Sequence, residues 1–584
     1  MLLAGLAVAA ALYLAFPAES IYGGRDEGVY TNHAIYLATH GRLDVPYPWP
    51  QDTHDLFAQN AVKFPGFYPT QPTMTVQFGH LFSTWLAQAW ATLGTVGLFR
   101  LNAVFAVLSA AVFYGLCCTL LPTPYAVAAT LFLAFNPMQL WLARITLSEM
   151  PTQMFVWAGL LTSASRRRAR DAAAWAGVML SAASFIRLDS LLFLPLLMLG
   201  HAGLRIVSAA GEPADAPRPP NAWAAFYATA VPGWLLALGY FLVFSAPYVA
   251  EKAYMGQLGS AVAAALVALA LTAPPIAPHL RRLIVARPTL VVAGVCWFGF
   301  ALWAYWIRSA PNSAPRPIYR WPGYYIDIAR DHSRDSLVNL ARYLSPAVVW
   351  AAIAGWYITV CDVLRQRRPA CWMPLLVLVA GVSAVHLAYP IAEDHIWVER
   401  RYAPVAIPGF VLCAALGMRW LVDRLPPRWA PWAGGVACVG MLGFTVVADR
   451  LFFTFAESGG YYAQIARLAA QVPRDTLVLA RGQTEWITPL YVSFDRRVVP
   501  LNLDPGAKGR RVFEAWVAKQ AADGKPAYLL LEGAADLRDY HLQPLGEQVL
   551  TRVFSEPTMD PLPKTIISKQ RTVGLYEVRP AGGK

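Results

Sequence analysis

The stretch Tyr22–Leu43, YGGRDEGVYTNHAIYLATHGRL, decides how the rest of the chain is read. It follows one apolar segment, Leu2–Phe16, and opens on a glycine turn at Gly23 and Gly24. Two adjacent carboxylates, Asp26 and Glu27, come next, and an amphipathic helical pattern runs behind them. Acids in a first turn complement the helix dipole, so the pair alone signals a helix start. Its setting asks for more: it sits just past an apolar anchor, at the head of a long polar loop.

Composition sets that context. Of 584 residues, 57% are hydrophobic and 14% charged, and the mean hydropathy is +0.41. A soluble chain of this length needs a far more charged surface, so the pattern is that of a polytopic membrane protein with the lipid bilayer as a partner. The net charge of +13 fits basic loops meeting anionic lipid, and no nucleic-acid partner is expected. Cys117, Cys118, Cys296, Cys361, Cys371, Cys413 and Cys438 all lie in or beside apolar segments, without disulfide-framework or metal-type spacing. Leu2–Phe16 lacks a basic n-region and reads as a retained anchor.

A crossing needs about 20 apolar residues, and basic clusters orient the crossings. Four clusters are taken as cytoplasmic: Arg166–Arg168 with Arg170; Arg281, Arg282 and Arg287; Arg365, Arg367 and Arg368; Arg419, Arg424 and Arg428. The spans then fall near 1–16, 99–120, 124–142, 149–164, 172–186, 189–206, 223–245, 256–275, 289–307, 342–364, 371–390, 403–421 and 429–448. That is about thirteen transmembrane helices, with the C-terminal part outside the cytoplasm. Asp26 falls outside, because one span precedes it. Pro72–Leu93 must then cross twice or not at all, and reads as a helix in the outer interface with His80 and Gln88 on its wetter side. After residue 449 the composition turns soluble: a helix at Tyr461–Gln471, strands near Thr476–Ala480, Val498–Leu501 and Ala527–Leu531, and a helix at Arg511–Ala522 predict a small α/β domain. The domain division is 1–448 and 449–584, with a first outer loop at about 17–98 that carries interfacial helices.

The outward side collects the polar candidates. Asp26 can accept a proton from an attacking hydroxyl or amine, and partial desolvation would raise its pKa toward a useful range. Glu149 stands at an outer edge with Arg144, which could pair with it or with a phosphate. Arg187 and Asp189 interrupt the apolar run FIRLDSLLF; ionisable residues at that depth face a polar cavity or form a salt bridge at a turn. Arg400, Arg401 and Tyr402 open the twelfth span beside His395, Trp397 and Glu399. Tyr324 lies in an arginine- and aromatic-rich loop at 308–341. Outward arginines go against the positive-inside rule, and a phosphate group would explain them, because a guanidinium fork matches its oxygens. His33, His54, His80 and His395 lack HExxH or HxH spacing; no cofactor is expected, and a divalent cation remains open.

The order of these motifs resembles the GT-C superfold of integral-membrane glycosyltransferases. A DExxY element (Asp26, Glu27, Tyr30) follows the first span, and an interfacial helix is entered through the Pro-containing turn YPTQPTMTVQF, Tyr68–Phe78. NPMQLWLARITLSEMP (136–151) looks like the family's segment ending in an arginine and an acid, and RRYAPVAIP (400–408) is similar to a late-span element of bacterial members. Protein O-mannosyltransferases and lipid A aminoarabinose transferases are the relatives it looks like. The resemblance implies an enzyme that transfers a sugar from a polyprenyl-phosphate donor, usually with inversion, to a lipid, glycan or protein acceptor. It places the catalytic base, or a residue positioning the acceptor, at Asp26 and the second acid at Glu149, with Glu27 beside them. Many relatives carry a basic residue before the turn's prolines; here Gln71 stands there, with Lys63 upstream. The phosphate then falls to Lys63, Arg400, Arg401 or the 308–341 arginines. Tyr30, Tyr68, Gln71, Arg144, Arg187, Asp189, Tyr324 and Tyr402 complete the expected substrate-binding set. The expected location is the inner (plasma) membrane, with the active site and C-terminal domain on the extracytoplasmic side.

Two other classes stand beside this one. A transporter would place paired charges at the bilayer midplane and show repeated halves; the charges here cluster at one face and no repeat is found. A non-catalytic protein of cell-envelope assembly would not need Asp26.

Overall fold

The computed structural model describes all residues except 71, 165–168, 209–219, 252–253, 309–318, 322–323, 327–333, 389–394, 558–561 and 582–584. It is a helical bundle with a sheet domain on one end. Each of the predicted spans holds helix, from Leu2–Ala15 to Ala430–Asp449. Among the described helices, seven are long and apolar enough to cross a membrane, and shorter apolar helices include Leu2–Ala15, Thr123–Ala134 and Ala406–Val422. Several spans break where the sequence dictates. Asn136 ends one helix and caps the next, its side chain accepting from the Met138 N–H with Pro137 at the first turn. Arg187 is extended (φ −138°, ψ 137°) between Ala169–Ile186 and a short 3-10 turn at Leu188–Leu192.

The helix His80–Leu120 turns at Gly94, whose φ of 59° and ψ of −142° suit glycine. A Cβ at Gly97 would stand 2.2 Å from the Ala89 carbonyl, so the two halves fold sharply against each other there. The expected interfacial segment thus contains a separate helix, but it starts at His80, and Thr73–Val76 is a strand instead. That strand lies between Val45–Pro46 and Phe67–Pro69 in a small antiparallel sheet. His80 is not on a wet side: it is 3% exposed, with Nδ1 bonded to the Tyr240 hydroxyl and its ring 5.2 Å from His33.

The C-terminal domain has a five-stranded sheet in the order Val498–Pro500, Val478–Arg481, Ala527–Glu532, Ile566–Pro580, Tyr540–Ser555. The first three strands are parallel, and the last two form a long antiparallel hairpin. The predicted helices are present at Tyr461–Gln471 and Lys508–Ala522. This domain packs directly on the first loop. Trp49 and Phe57 join its core, Tyr491 donates to the Pro46 carbonyl, and Ser493 bonds Asn32 at 2.7 Å.

Candidate active site

The Asp26–His40 helix is clamped from both sides. A Cβ at Gly28 would lie 1.7 Å from the Tyr22 carbonyl, and one at Gly23 would lie 2.4 Å from the Thr484 carbonyl. Asn32 donates to the Ile21 carbonyl at 2.7 Å, closing the turn that precedes the helix. Successive helical residues point about 100° apart, since a turn holds 3.6 residues. Asp26 and Glu27 therefore face different surroundings.

Asp26 lines a cavity of about 330 Å³ at the junction of the first loop, the bundle and the segment 395–404. Its carboxylate accepts from Gln77 Nε2 at 3.2 Å and pairs with Arg400. Arg400 Nε lies 3.2 Å from Glu149 Oε1, and Arg187 Nη1 lies 2.5 Å from the same oxygen. Arg187 then forks onto Asp189, at 2.9 Å and 2.8 Å. The result is one alternating chain, Asp26–Arg400–Glu149–Arg187–Asp189, along the cavity wall. Glu149 opens the helix Glu149–Ala164, where the dipole favours an anion. The Trp397 ring stacks against Arg400, its centroid 3.7 Å from the guanidinium carbon. Burial works against the Arg400 charge, but Asp26 and Glu149 outweigh it and hold the group above its ordinary range.

Glu27 is 1% exposed and does not line the cavity. It accepts from the Tyr22 hydroxyl at 2.9 Å and from Trp397 Nε1 at 3.3 Å. Burial raises its pKa, with Arg25 opposing. Behind Tyr22 stands a second charge network from the C-terminal domain. The Arg552 guanidinium lies 3.4 Å over the Tyr22 ring and pairs with Glu485 at 3.1 Å. Arg571 joins Glu485 to Glu532.

The remaining expected residues divide. Tyr30, Tyr68, Arg187, Asp189 and Arg401 line the cavity; Tyr30 donates to Ser148 Oγ at 3.0 Å. Tyr402 is buried behind the wall, its ring edge-on to His386 with centroids 5.2 Å apart. Arg144 lies away from the cavity: its guanidinium donates to the carbonyls of Leu12, Phe452, Phe453 and Phe455 and ties the first helix to the segment after the last one. The expected pairing of Arg144 with Glu149 or phosphate gives way to that structural role. Lys63 is exposed on a loop that bonds the Pro500 carbonyl through Val62, outside the cavity lining. Gln71 and the side chain of Tyr324 lie outside the described residues. Gln77, Tyr248, Gln257 and His386 also line the cavity. His386 and Gln257 are long polar side chains in largely apolar helices, a signal legible in the sequence. Among the described residues, no group of three or more His, Cys, Asp or Glu stands where it could hold a metal ion.

The apolar helical bundle with a sheet domain at one end is a fold that this chain shares with solved structures. Solved structures with this fold include the oligosaccharyltransferase of Archaeoglobus fulgidus in the apo form, at TM-score 0.55 and 12% identity, over 97% of this chain and 76% of that one. The oligosaccharyltransferase AglB from Archaeoglobus fulgidus, in complex with an inhibitory peptide and a dolichol-phosphate, matches at TM-score 0.52 and 13% identity, over 91% of this chain and 69% of that one. ArnT from Cupriavidus metallidurans in the apo state matches at TM-score 0.50 and 11% identity, over 98% and 97%. No protein-family profile matches the chain, and no curated protein matches it by sequence.

Proposed function

We propose that the protein transfers a sugar from a polyprenyl-phosphate donor to an acceptor on the extracytoplasmic side of an inner (plasma) membrane. The observation that carries this reading is the cavity itself, where Asp26 heads a chain of carboxylates alternating with guanidiniums, Asp26–Arg400–Glu149–Arg187–Asp189, with Arg401 beside it. The neighbour solved with dolichol-phosphate supports a lipid-phosphate carrier.

The acceptor's O–H or N–H attacks the anomeric carbon, and Asp26 takes the proton. The bond from that carbon to the phosphate oxygen breaks, and the polyprenyl phosphate leaves with the electron pair. Attack opposite the leaving group inverts the anomeric centre. A guanidinium carries five donors, so Arg400 and Arg187 retain N–H groups beyond those given to carboxylates. With Arg401 they stabilise the charge that develops on the leaving phosphate. Glu149 holds Arg187 and Arg400 in place, and Glu27 acts from behind rather than in the cavity. The catalytic part is residues 1–448, with the first loop about 17–98 forming the acceptor side; residues 449–584 form the extracytoplasmic domain.

Purified protein in lipid nanodiscs, given a radiolabelled polyprenyl-phosphate sugar and envelope extract as the acceptor source, tests the reading. Asp26→Asn is expected to lower turnover by about 10²–10⁴-fold without loss of the folded state. Turnover that persists in Asp26→Asn and Asp26→Ala would remove the base assignment.

A further inference from the structure

The cavity has a second wall that the transfer chemistry leaves unused. Besides the guanidinium row, the lining carries a succession of aromatic rings. Tyr30 stacks on Phe78 with centroids 4.6 Å apart, Phe78 meets Tyr248 edge-on at 5.8 Å, and Tyr248 reaches Tyr68 at 6.4 Å. All four line the cavity. The wall is built from distant parts of the chain. Thr75 Oγ1 donates to the Phe244 carbonyl at 2.9 Å, which docks the first-loop strand on the end of the helix Pro220–Phe244. At Gly79 a Cβ would meet the Phe185 carbonyl at 2.5 Å, so only glycine lets Phe78 reach this place.

Gln257, from the helix Tyr254–Ala270, lines the same cavity. Its amide oxygen is buried and has no hydrogen-bond partner among the described residues. A buried acceptor left unmatched costs free energy, and such atoms call for a donor supplied from elsewhere. Gln77, next to Phe78 in the chain, binds Asp26, so the wall begins one residue from the group that holds the proposed base.

A ligand that suits this wall presents flat C–H faces to the rings and a hydroxyl or amine to the lone amide. The guanidinium row must meet its anionic end. A pyranose ring carried on a phosphate has all three features, whereas an isoprenoid chain has no donor for Gln257. We propose that Tyr68, Phe78, Tyr248 and Gln257 form the subsite for the sugar ring of the donor, with one sugar hydroxyl or amine donating to Gln257. This rests on the glycosyltransferase reading above and adds to it the part of the site that selects the sugar.

Native mass spectrometry of the protein in nanodiscs separates the two claims. The probes are undecaprenyl phosphate and undecaprenyl-phosphate-linked glucose, mannose, galactose and N-acetylglucosamine. The wild type is expected to bind at least one sugar-bearing form about tenfold more tightly than the bare carrier, a difference set by one ring contact and one hydrogen bond. Tyr248→Ala and Gln257→Leu are each expected to erase most of that preference and leave the affinity for the bare carrier unchanged; Tyr248→Phe, which keeps the ring, is expected to retain it. A wild type that prefers none of the sugars, or variants that weaken the bare carrier equally, would overturn the subsite. Failure of the wild type to bind undecaprenyl phosphate at all would instead overturn the lipid-phosphate reading beneath it.

Discussion

Glu149→Gln is the most informative single change, because Glu149 joins the two halves of the charge chain. Its side chain is 1% exposed and faces Arg187 at 2.5 Å and Arg400 at 3.2 Å. Glutamine keeps the shape and removes the charge, leaving two guanidiniums side by side. Removing one partner of a buried pair costs about 3–5 kcal/mol, chiefly because the other charge stays buried. Here Arg187 and Arg400 are 16% and 12% exposed, and each keeps a second carboxylate, Asp189 and Asp26. Those two facts put the expected loss at the low end, about 3 kcal/mol. The assay is denaturant unfolding in detergent micelles followed by tryptophan fluorescence, with wild type and variant compared by midpoint at equal slope. A double-mutant cycle with Arg187→Gln isolates the pair, and a coupling of at least about 1 kcal/mol is expected. A Glu149→Gln protein within about 0.5 kcal/mol of wild type, or strict additivity in the cycle, would refute the buried-bridge argument.

Burial pushes the Glu399 carboxyl from 4.5 up to about 8, with Asn339 and Arg401 opposing. The folded state then holds a proton that the unfolded chain has released, so stability should fall as pH rises through that window; melting temperature against pH should be flatter in Glu399→Gln than in wild type. Gly94→Ala should cost about 1–3 kcal/mol of stability through the backbone alone, since nothing lies within 4 Å of a Cβ there; an unchanged unfolding midpoint would contradict that.

The spans were legible because apolar length is a local property of the chain. So were the C-terminal parallel strands, which are short apolar runs between breakers. The long hairpin Tyr540–Ser555 with Ile566–Pro580 was not. Its first strand contains Pro544, its register shifts at Leu575/Tyr576, and one end alternates too weakly to declare a face. Within the site, Asp26, Glu149, Arg187, Asp189, Arg400 and Arg401 are legible because each is a charge at the edge of an apolar run. What the sequence could not say is who meets whom. Arg144 has the same local signature as Arg187, yet its partners are main-chain carbonyls more than 100 residues away in sequence, on the first helix and after the last. His80 has the sequence setting of a wet helix face, but Tyr240 and His33 close over it.

The pair Asp26–Glu27 carries the larger lesson about design. Asp26 and Glu27, neighbours on one helix, point about 100° apart. Asp26 takes the cavity, and Glu27 takes the other direction, where the C-terminal domain waits. From Glu27 the contacts run through Tyr22 to Arg552 and Glu485 on one side, and through Trp397 to Arg400 on the other. The guanidinium that holds Asp26 thus rests on a tryptophan whose ring nitrogen is fixed by Glu27. A domain whose sequence carries no catalytic motif is thereby joined, through packed side chains, to the residue proposed to take the proton. The second carboxylate of the motif needs no role in the chemistry to matter: it belongs to one of the contacts that join the two parts of the molecule.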